Sequence, residues 1–241
     1  MLLTVSLGNT NVSFGVFDGL RLVRHDRIPP TDLARLAERI GAQGFERVAV
    51  ASVAPSRTGQ AISSLAAAYG GPILLAGEDL PYGIEIQCDE PSKVGADRLL
   101  NAIAAYARTR KATIVVDVGT TITVDLVSER GNFCGGAIAP GPSTMMAALH
   151  EHTELLPAVT FDRPSSPLGR NTAAAMRSGA YWGTVGLVER LVSEMAREAT
   201  GGPPVIFTGG AAEFVAREMK TKIELIPALT LEGLAILAAK A

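Results

Sequence analysis

Two short stretches carry the residue types that hold phosphate. "LTVSLGNTN", Leu3 to Asn11, and "VVDVGTTIT", Val115 to Thr123, each run an apolar strand into a glycine turn, then into a second strand. Aligned, Gly8 falls on Gly119, Thr10 on Thr121, and Ser6 on Asp117. Glycine lets backbone N–H groups approach a phosphate closely, and threonine and asparagine add donors without bulk. Asp117, just before its turn, is placed to hold a cation directly or through water. A third turn, "FTGGA", sets Gly209 and Gly210 after a strand, a bare backbone against which a nucleoside can lie. The chemistry these turns imply is recognition of a nucleoside polyphosphate, clasped from two sides of a cleft.

The elements that must position these turns alternate between strand and helix. The opening hairpin covers Leu2–Phe17, with "DGL" as its punctuating turn. In "PPTDLARLAERIGAQG", Thr31 or Asp32 caps a helix with Leu33, Leu36 and Ile40 on one face and Gly41 at its end. Arg47–Val53 reads as a buried strand, "SRTGQAISSLAAAY" as a helix and "PILLAG" as a strand, and "PYGIEIQCDEP" alternates weakly. "GADRLLNAIAAYARTR" is a strong helix whose basic end suits the helix dipole. After the second hairpin, "GNFCGGAIAPGPS" reads as a turn-dense loop. Asn171–Ala199 is a long helix with Met176, Ala180, Val188, Leu191, Val192 and Met195 at helical spacing. Its Gly179, Gly183 and Gly186 weaken propensity but suit close approach of a partner helix. A strand breaking at Gly209-Gly210 into a helix, then "IELIP" and the helix "LTLEGLAILAAKA", close the chain. The expected class is α/β with an internal duplication, in halves 1–111 and 112–241.

Bulk composition narrows the function classes. With 241 residues, 47% hydrophobic and 19% charged, the chain fills a core. Its 22 basic and 24 acidic residues give a net charge of −2, so nucleic acid is not an expected partner. No apolar run reaches the roughly 20 residues that span a bilayer, so no membrane partner and a cytoplasmic location are expected. Cys88 and Cys134 form no CxxC pair, which argues against zinc and against a disulfide framework. His25, His150 and His152 match no motif and read as surface or structural residues.

The ordered series "LGNTN", "VGADR", "VVDVGTT", "GGAIAPG", "GRNTAAAMRSGAYWG", "FTGGAA" and "LTLEGL" resembles the type III pantothenate kinases, members of the actin-like ATPase (ribonuclease H-like) superfold. The resemblance runs over almost the whole chain. It implies ATP-dependent phosphorylation of pantothenate to 4'-phosphopantothenate, the first step of coenzyme A biosynthesis. It also implies Mg2+, a monovalent cation (K+ or NH4+) and a homodimer. By the same resemblance, Asp97 is the proton acceptor for the substrate hydroxyl. Gly95, Ala96, Asp97 and Arg98 bind the substrate, with the guanidinium suited to a carboxylate. Thr172 touches the substrate from the partner subunit. Asp117 binds the monovalent cation, and Gly119 and Thr120 meet ATP. Ser6 through Ser13, with Gly8, Asn9, Thr10, Asn11 and Val12 between, matches the first ATP stretch, and Gly209 and Gly210 the nucleoside turn. From position alone, Asp97 also suits the dipole at a helix start, Arg98 a surface ion pair, and Thr172 a helix cap.

Two positions depart from the family pattern. Ser6 stands where the family has an aspartate, and Cys88 stands at the substrate-contacting position where it has a tyrosine. Losing a metal-positioning carboxylate raises a barrier by roughly 3–5 kcal/mol. A catalytically weak or inactive binding or regulatory relative is therefore the alternative reading, and a kinase for another small hydroxylated acid a third.

Overall fold

The first strand, β1 (Leu2–Leu7), buries Leu3, Val5 and Leu7 on one face and Thr4 on the other, as a central strand covered on both faces does. The computed structural model describes residues 1–41, 44–199 and 201–241. Two compact units divide the chain, one made of Met1–Arg108 with Ala228–Ala241, the other of Thr109–Pro227.

In the first unit, β1 pairs antiparallel with β2 (Val12–Asp18), and β2 antiparallel with β3 (Arg21–Ile28). On its other side β1 pairs parallel with β4 (Arg47–Ser52), and β4 with β5 (Ile73–Leu75), giving the order β3-β2-β1-β4-β5. A short α1 (Leu36–Ile40) and α2 (Pro55–Ala68) cover one face, where Leu33, Leu36, Ile40, Ala61 and Leu65 join the strand residues. On another cluster, α3 (Ala96–Thr109) brings Leu100 and Ile103 against Ala49 and Ala51. Leu33, Leu36 and Ile40 are buried as expected, and Gly41 ends the helix at φ 89°. The helix start is different: residues Pro30–Arg35 form a 3-10 turn with no side-chain cap, so Thr31 and Asp32 do not cap it. Proline at the start sets the backbone there instead.

The second unit repeats the scheme. Strand β6 (Thr113–Val118) pairs antiparallel with β7 (Thr121–Val127), which pairs with β8 (Phe133–Pro140). On the other side β6 pairs parallel with β9 (Val205–Thr208), and β9 with β10 (Ile223–Leu225), giving the order β10-β9-β6-β7-β8. Helices α4 (Pro142–Glu151), α5 (Thr172–Glu198) and α6 (Ala212–Ala216) complete this unit. Tyr181, Val185, Val188 and Val192 of α5 pack onto Ile114, Val116, Val118 and Val124. Both sheets thus carry the same strand order, which is the duplication read from the two hairpins. The "GGAIAP" segment, expected as a loop, is edge strand β8; Gly135 at φ 108° and a register shift at Leu126/Val127 absorb its irregularity. Strand β3, not anticipated at all, is a charged and mostly exposed edge strand.

Residues 228–241, assigned from sequence to the second half, belong to the first unit. There α7 (Leu229–Ala238) sets Leu234, Leu237 and Ala238 among Ala49, Ala51, Leu100 and Ile103. A Cβ on Gly233 would lie 2.1 Å from the Leu100 carbonyl oxygen, so α7 meets α3 backbone to backbone. Thr230 donates to Asn101 Oδ1 at 2.7 Å, and Arg108 pairs with Glu232 at 2.7 Å.

Candidate active site

The first unit brings its candidate turn after β1 beside the loop that follows β4. The turn after β1 closes through Gly8 N–H donating to Asn11 O at 2.9 Å. A Cβ on Gly8 would stand 3.0 Å from that same oxygen, so the tight turn favours glycine. Asn9, Thr10 and Asn11 are exposed, and Asn11 Nδ2 donates to Thr10 Oγ1 at 3.2 Å. Behind the turn, half-buried Ser6 lies opposite half-buried Ser13 across the β1–β2 ladder, and Val12 is buried. Val53 N–H, just past β4, donates to Leu7 O at 3.0 Å and ties the β4–α2 loop to the turn.

Gly95, Ala96, Asp97 and Arg98 form the start of α3, all half-buried. Asp97 Oδ1 accepts the Arg98 backbone N–H at 2.8 Å. A Cβ on Gly95 would be 2.7 Å from Asp97 Oδ1 and 3.8 Å from Val53 Cγ1. Glycine at position 95 therefore makes room for the carboxylate, and Val53 borders the same space. Burial raises the Asp97 carboxyl above its ordinary value; the Arg98 backbone N–H and guanidinium oppose the rise. Asp97 thus combines the helix-start position with a half-buried carboxylate of raised pKa, chemistry compatible with accepting a proton.

Tyr82 belongs to this neighbourhood and was not singled out by the sequence. Half-buried residues Tyr82, Ile84, Ile86 and Cys88 alternate with exposed ones, which places Tyr82 and Cys88 on one side of an extended segment. Tyr82 and Ile84 pack on the cluster containing Leu100, one turn after Asp97 on α3. Burial, and then the charge of Asp97, push the Tyr82 phenol up. The weak alternation of "PYGIEIQCDEP" was the available signal.

The second unit assembles around Asp117, near the end of β6. Its turn closes through Gly119 N–H donating to Thr121 O at 2.9 Å. A Cβ on Gly209, at φ 101°, would lie 2.5 Å from Asp117 Oδ1, and one on Gly119 would lie 3.6 Å from it. Two glycine turns therefore flank the carboxylate with bare backbone. Ala211 N–H donates to Val118 O at 2.9 Å and fixes the Gly209-Gly210 turn beside β6. The Thr120 carbonyl accepts both Gly141 N–H at 2.9 Å and Thr144 Oγ1–H at 2.6 Å. Thr172 is the exposed first residue of α5, and the cap is Asn171, whose Oδ1 accepts Ala174 N–H at 2.8 Å. Among the described residues no group of three or more His, Cys, Asp or Glu side chains is arranged to hold a metal by itself.

A duplicated β3-β2-β1-β4-β5 sheet, each copy with a glycine turn after its first strand, defines the actin-like ATPase class. Comparison with solved structures agrees. A Campylobacter jejuni protein described as a Baf family transcriptional activator superposes with a TM-score of 0.62 at 18% identity, covering 99% of this chain and 98% of that one. The activator of the 2-hydroxyisocaproyl-CoA dehydratase from Clostridium difficile, with bound ADPNP, gives 0.55 at 13% identity, covering 99% and 94%. At these identities the likeness is one of fold. The family model for type III pantothenate kinase matches residues 2–194. The type III pantothenate kinase of Geobacter sulfurreducens is 41% identical over 250 residues, 98% of each chain. This chain belongs to the type III pantothenate kinase family.

Proposed function

We propose that the protein transfers the γ-phosphoryl group of ATP to the primary hydroxyl of pantothenate, making 4'-phosphopantothenate for coenzyme A synthesis. The observation that carries the reading, beside family membership, is Asp97: a half-buried carboxylate at a helix start whose pKa burial raises, with Gly95 leaving room beside it. Phosphoryl transfer needs an aligned oxygen nucleophile and a group to accept its proton, and Asp97 takes that role. Arg98 and the backbone at Gly95 and Ala96 take the substrate carboxylate, and Cys88, on the same side of its extended segment as Tyr82, takes the substrate-contacting position. The Gly8–Asn11 and Gly119–Thr120 turns supply phosphate contacts, and Gly209-Gly210 the nucleoside surface.

A cation fits Asp117, because the carboxylate is a hard oxygen donor and Gly119 and Gly209 put no side chain in its way. Mg2+ on the phosphates and K+ or NH4+ at Asp117 neutralise charge on the transferring group when bound. A homodimer is part of the proposal, with Thr172 completing the partner's substrate site. Supporting it, Trp182 is 37% exposed on α5, where Gly179, Gly183 and Gly186 face open space.

Family membership weighs against the inactive alternative raised by Ser6. The test is turnover of purified protein with ATP, Mg2+, K+ or NH4+, and pantothenate. Measurable turnover that Asp97→Asn abolishes supports the proposal. No turnover in the natural chain, together with clear gain in Ser6→Asp, would sink it.

A further inference from the structure

Arg57, the third residue of α2, reaches back across the first unit to the Gly8–Asn11 turn. Its Nη1 donates to Asn9 O at 2.6 Å and to Gly8 O at 3.3 Å. No sequence motif marks this residue, and its partners lie 48 and 49 positions away. The helix turn that carries it is held to the loop. Val53 N–H donates to Leu7 O at 3.0 Å, Ala54 N–H to Ser52 Oγ at 3.0 Å, and Thr58 Oγ1–H to Ser52 Oγ at 2.8 Å.

Two carbonyls on one cation have a consequence for the amides beside them. There is no cis peptide bond among the described residues, and in a trans peptide unit C=O and N–H point to opposite sides. Drawing the Gly8 and Asn9 carbonyls toward Arg57 therefore turns the Asn9 and Thr10 N–H groups the other way. Gly8 N–H is committed to Asn11 O across the turn. Successive amides facing one side form a concave anion-binding surface, and a positive charge behind the loop adds attraction for the anion in front.

We propose that Arg57 is a positioning residue for the nucleotide: it orients the Asn9 and Thr10 amides toward the ATP phosphates and backs that loop with positive charge. The proposal rests on the reading of the first turn as a phosphate loop.

The test measures affinity for ADP and for adenosine by calorimetry in the natural chain and in Arg57→Ala, Arg57→Gln and Arg57→Lys, each checked by thermal melting. The expected result is a loss of about tenfold in ADP affinity for Arg57→Ala, with adenosine affinity unchanged. Arg57→Lys, which keeps charge and donors, should recover most of the loss, and Arg57→Gln less. The Michaelis constant for pantothenate should not move. Unchanged ADP affinity in a normally melting Arg57→Ala protein overturns the proposal. So does an equal fall for adenosine and ADP, because Arg57 would then act through the fold alone. If Arg57→Ala does not fold, the Lys and Gln variants decide, and equal ADP affinity in those two removes the role of charge. Arg57-dependent ADP binding without pantothenate turnover would leave this inference standing and remove the kinase reading; turnover with ADP affinity independent of Arg57 would do the reverse.

Discussion

Asp97 carries opposite demands from stability and chemistry. Burial raises its folded pKa above the ordinary value it has in the unfolded chain. Between those two values the folded chain binds the proton more tightly, so stability is greatest below the unfolded pKa and falls as pH rises through the folded one. At neutral pH the ionised carboxylate therefore weakens the fold. Asp97→Asn should melt higher than the natural chain at pH 7 and lose that advantage near the ordinary carboxylate range, about pH 3–4. The same substitution should lower kcat by about 10²–10⁴, the usual contribution of a general base. In the natural enzyme, kcat/KM should rise with pH along an acid limb set above the ordinary carboxylate range. A lower melting point for Asp97→Asn at pH 7 would show that the carboxylate instead supports the fold through Arg98. The proposed catalytic role of Asp97 was read from "GADR", but the raised pKa was not legible there. The rise comes from burial, which outweighs the opposing Arg98 backbone N–H and guanidinium.

The second glycine turn is shaped less by its own residues than by the corner between β8 and α4. A Cβ on Gly141 would lie 2.0 Å from Gly119 O and 2.6 Å from Thr120 O, contacts that backbone cannot yield without moving the turn. Gly141→Ala should therefore cost on the order of 1–3 kcal/mol of stability, as overpacking does, and raise the Michaelis constant for ATP more than that for pantothenate. Thr144→Val is the milder probe. It keeps the side-chain shape, removes the 2.6 Å hydrogen bond to Thr120 O, and should raise the ATP constant about fivefold at a cost of about 1 kcal/mol. Equal effects on both substrates would argue against a role confined to the turn. This corner explains why part of the architecture was hidden in the sequence. The glycine–threonine hairpins stood out because alternating apolar strands flank them. "FCGGAIAP" carries two glycines and a proline, yet it forms β8 because an edge strand needs only one hydrogen-bonded neighbour. Likewise "RLVRHDRI" shows no apolar face, since β3 is an outer strand whose residues are mostly exposed. Edge strands take their conformation from the adjacent strand, and a single-sequence pattern does not record it.

At the scale of the whole chain, the two copies of the sheet differ in the connection between their third and fourth strands. Among the described residues it holds a 3-10 turn (Pro30–Arg35) and the five-residue α1 in the first unit, and α4 and the 27-residue α5 in the second. The buried side of α5 accounts for Tyr181, Val185, Val188 and Val192. Its other side does not resemble an ordinary solvated face: Gly179, Trp182, Gly183 and Gly186 are exposed, and no charge stands among them. Glycine at three positions of an exposed helix lowers helix stability by roughly 1 kcal/mol each relative to alanine. Such residues are understandable where a second helix approaches closely, and a Cβ at any of the three meets nothing of this chain within 4 Å. That open space makes a clean experiment of Gly183→Leu. Within one chain the substitution should favour the helix, so the monomer fold is expected to survive with an unchanged or higher melting point once dimer stability is excluded. Between two chains it should separate the faces. Sedimentation should change from the mass of a dimer to that of a monomer at micromolar concentration. Because Thr172 begins the same helix and is proposed to serve the partner's site, pantothenate turnover should fall by tenfold or more, while ADP affinity stays within about twofold. A natural chain that already sediments as a monomer, or a monomeric Gly183→Leu that keeps full pantothenate turnover, would remove Thr172 and the partner subunit from the substrate site.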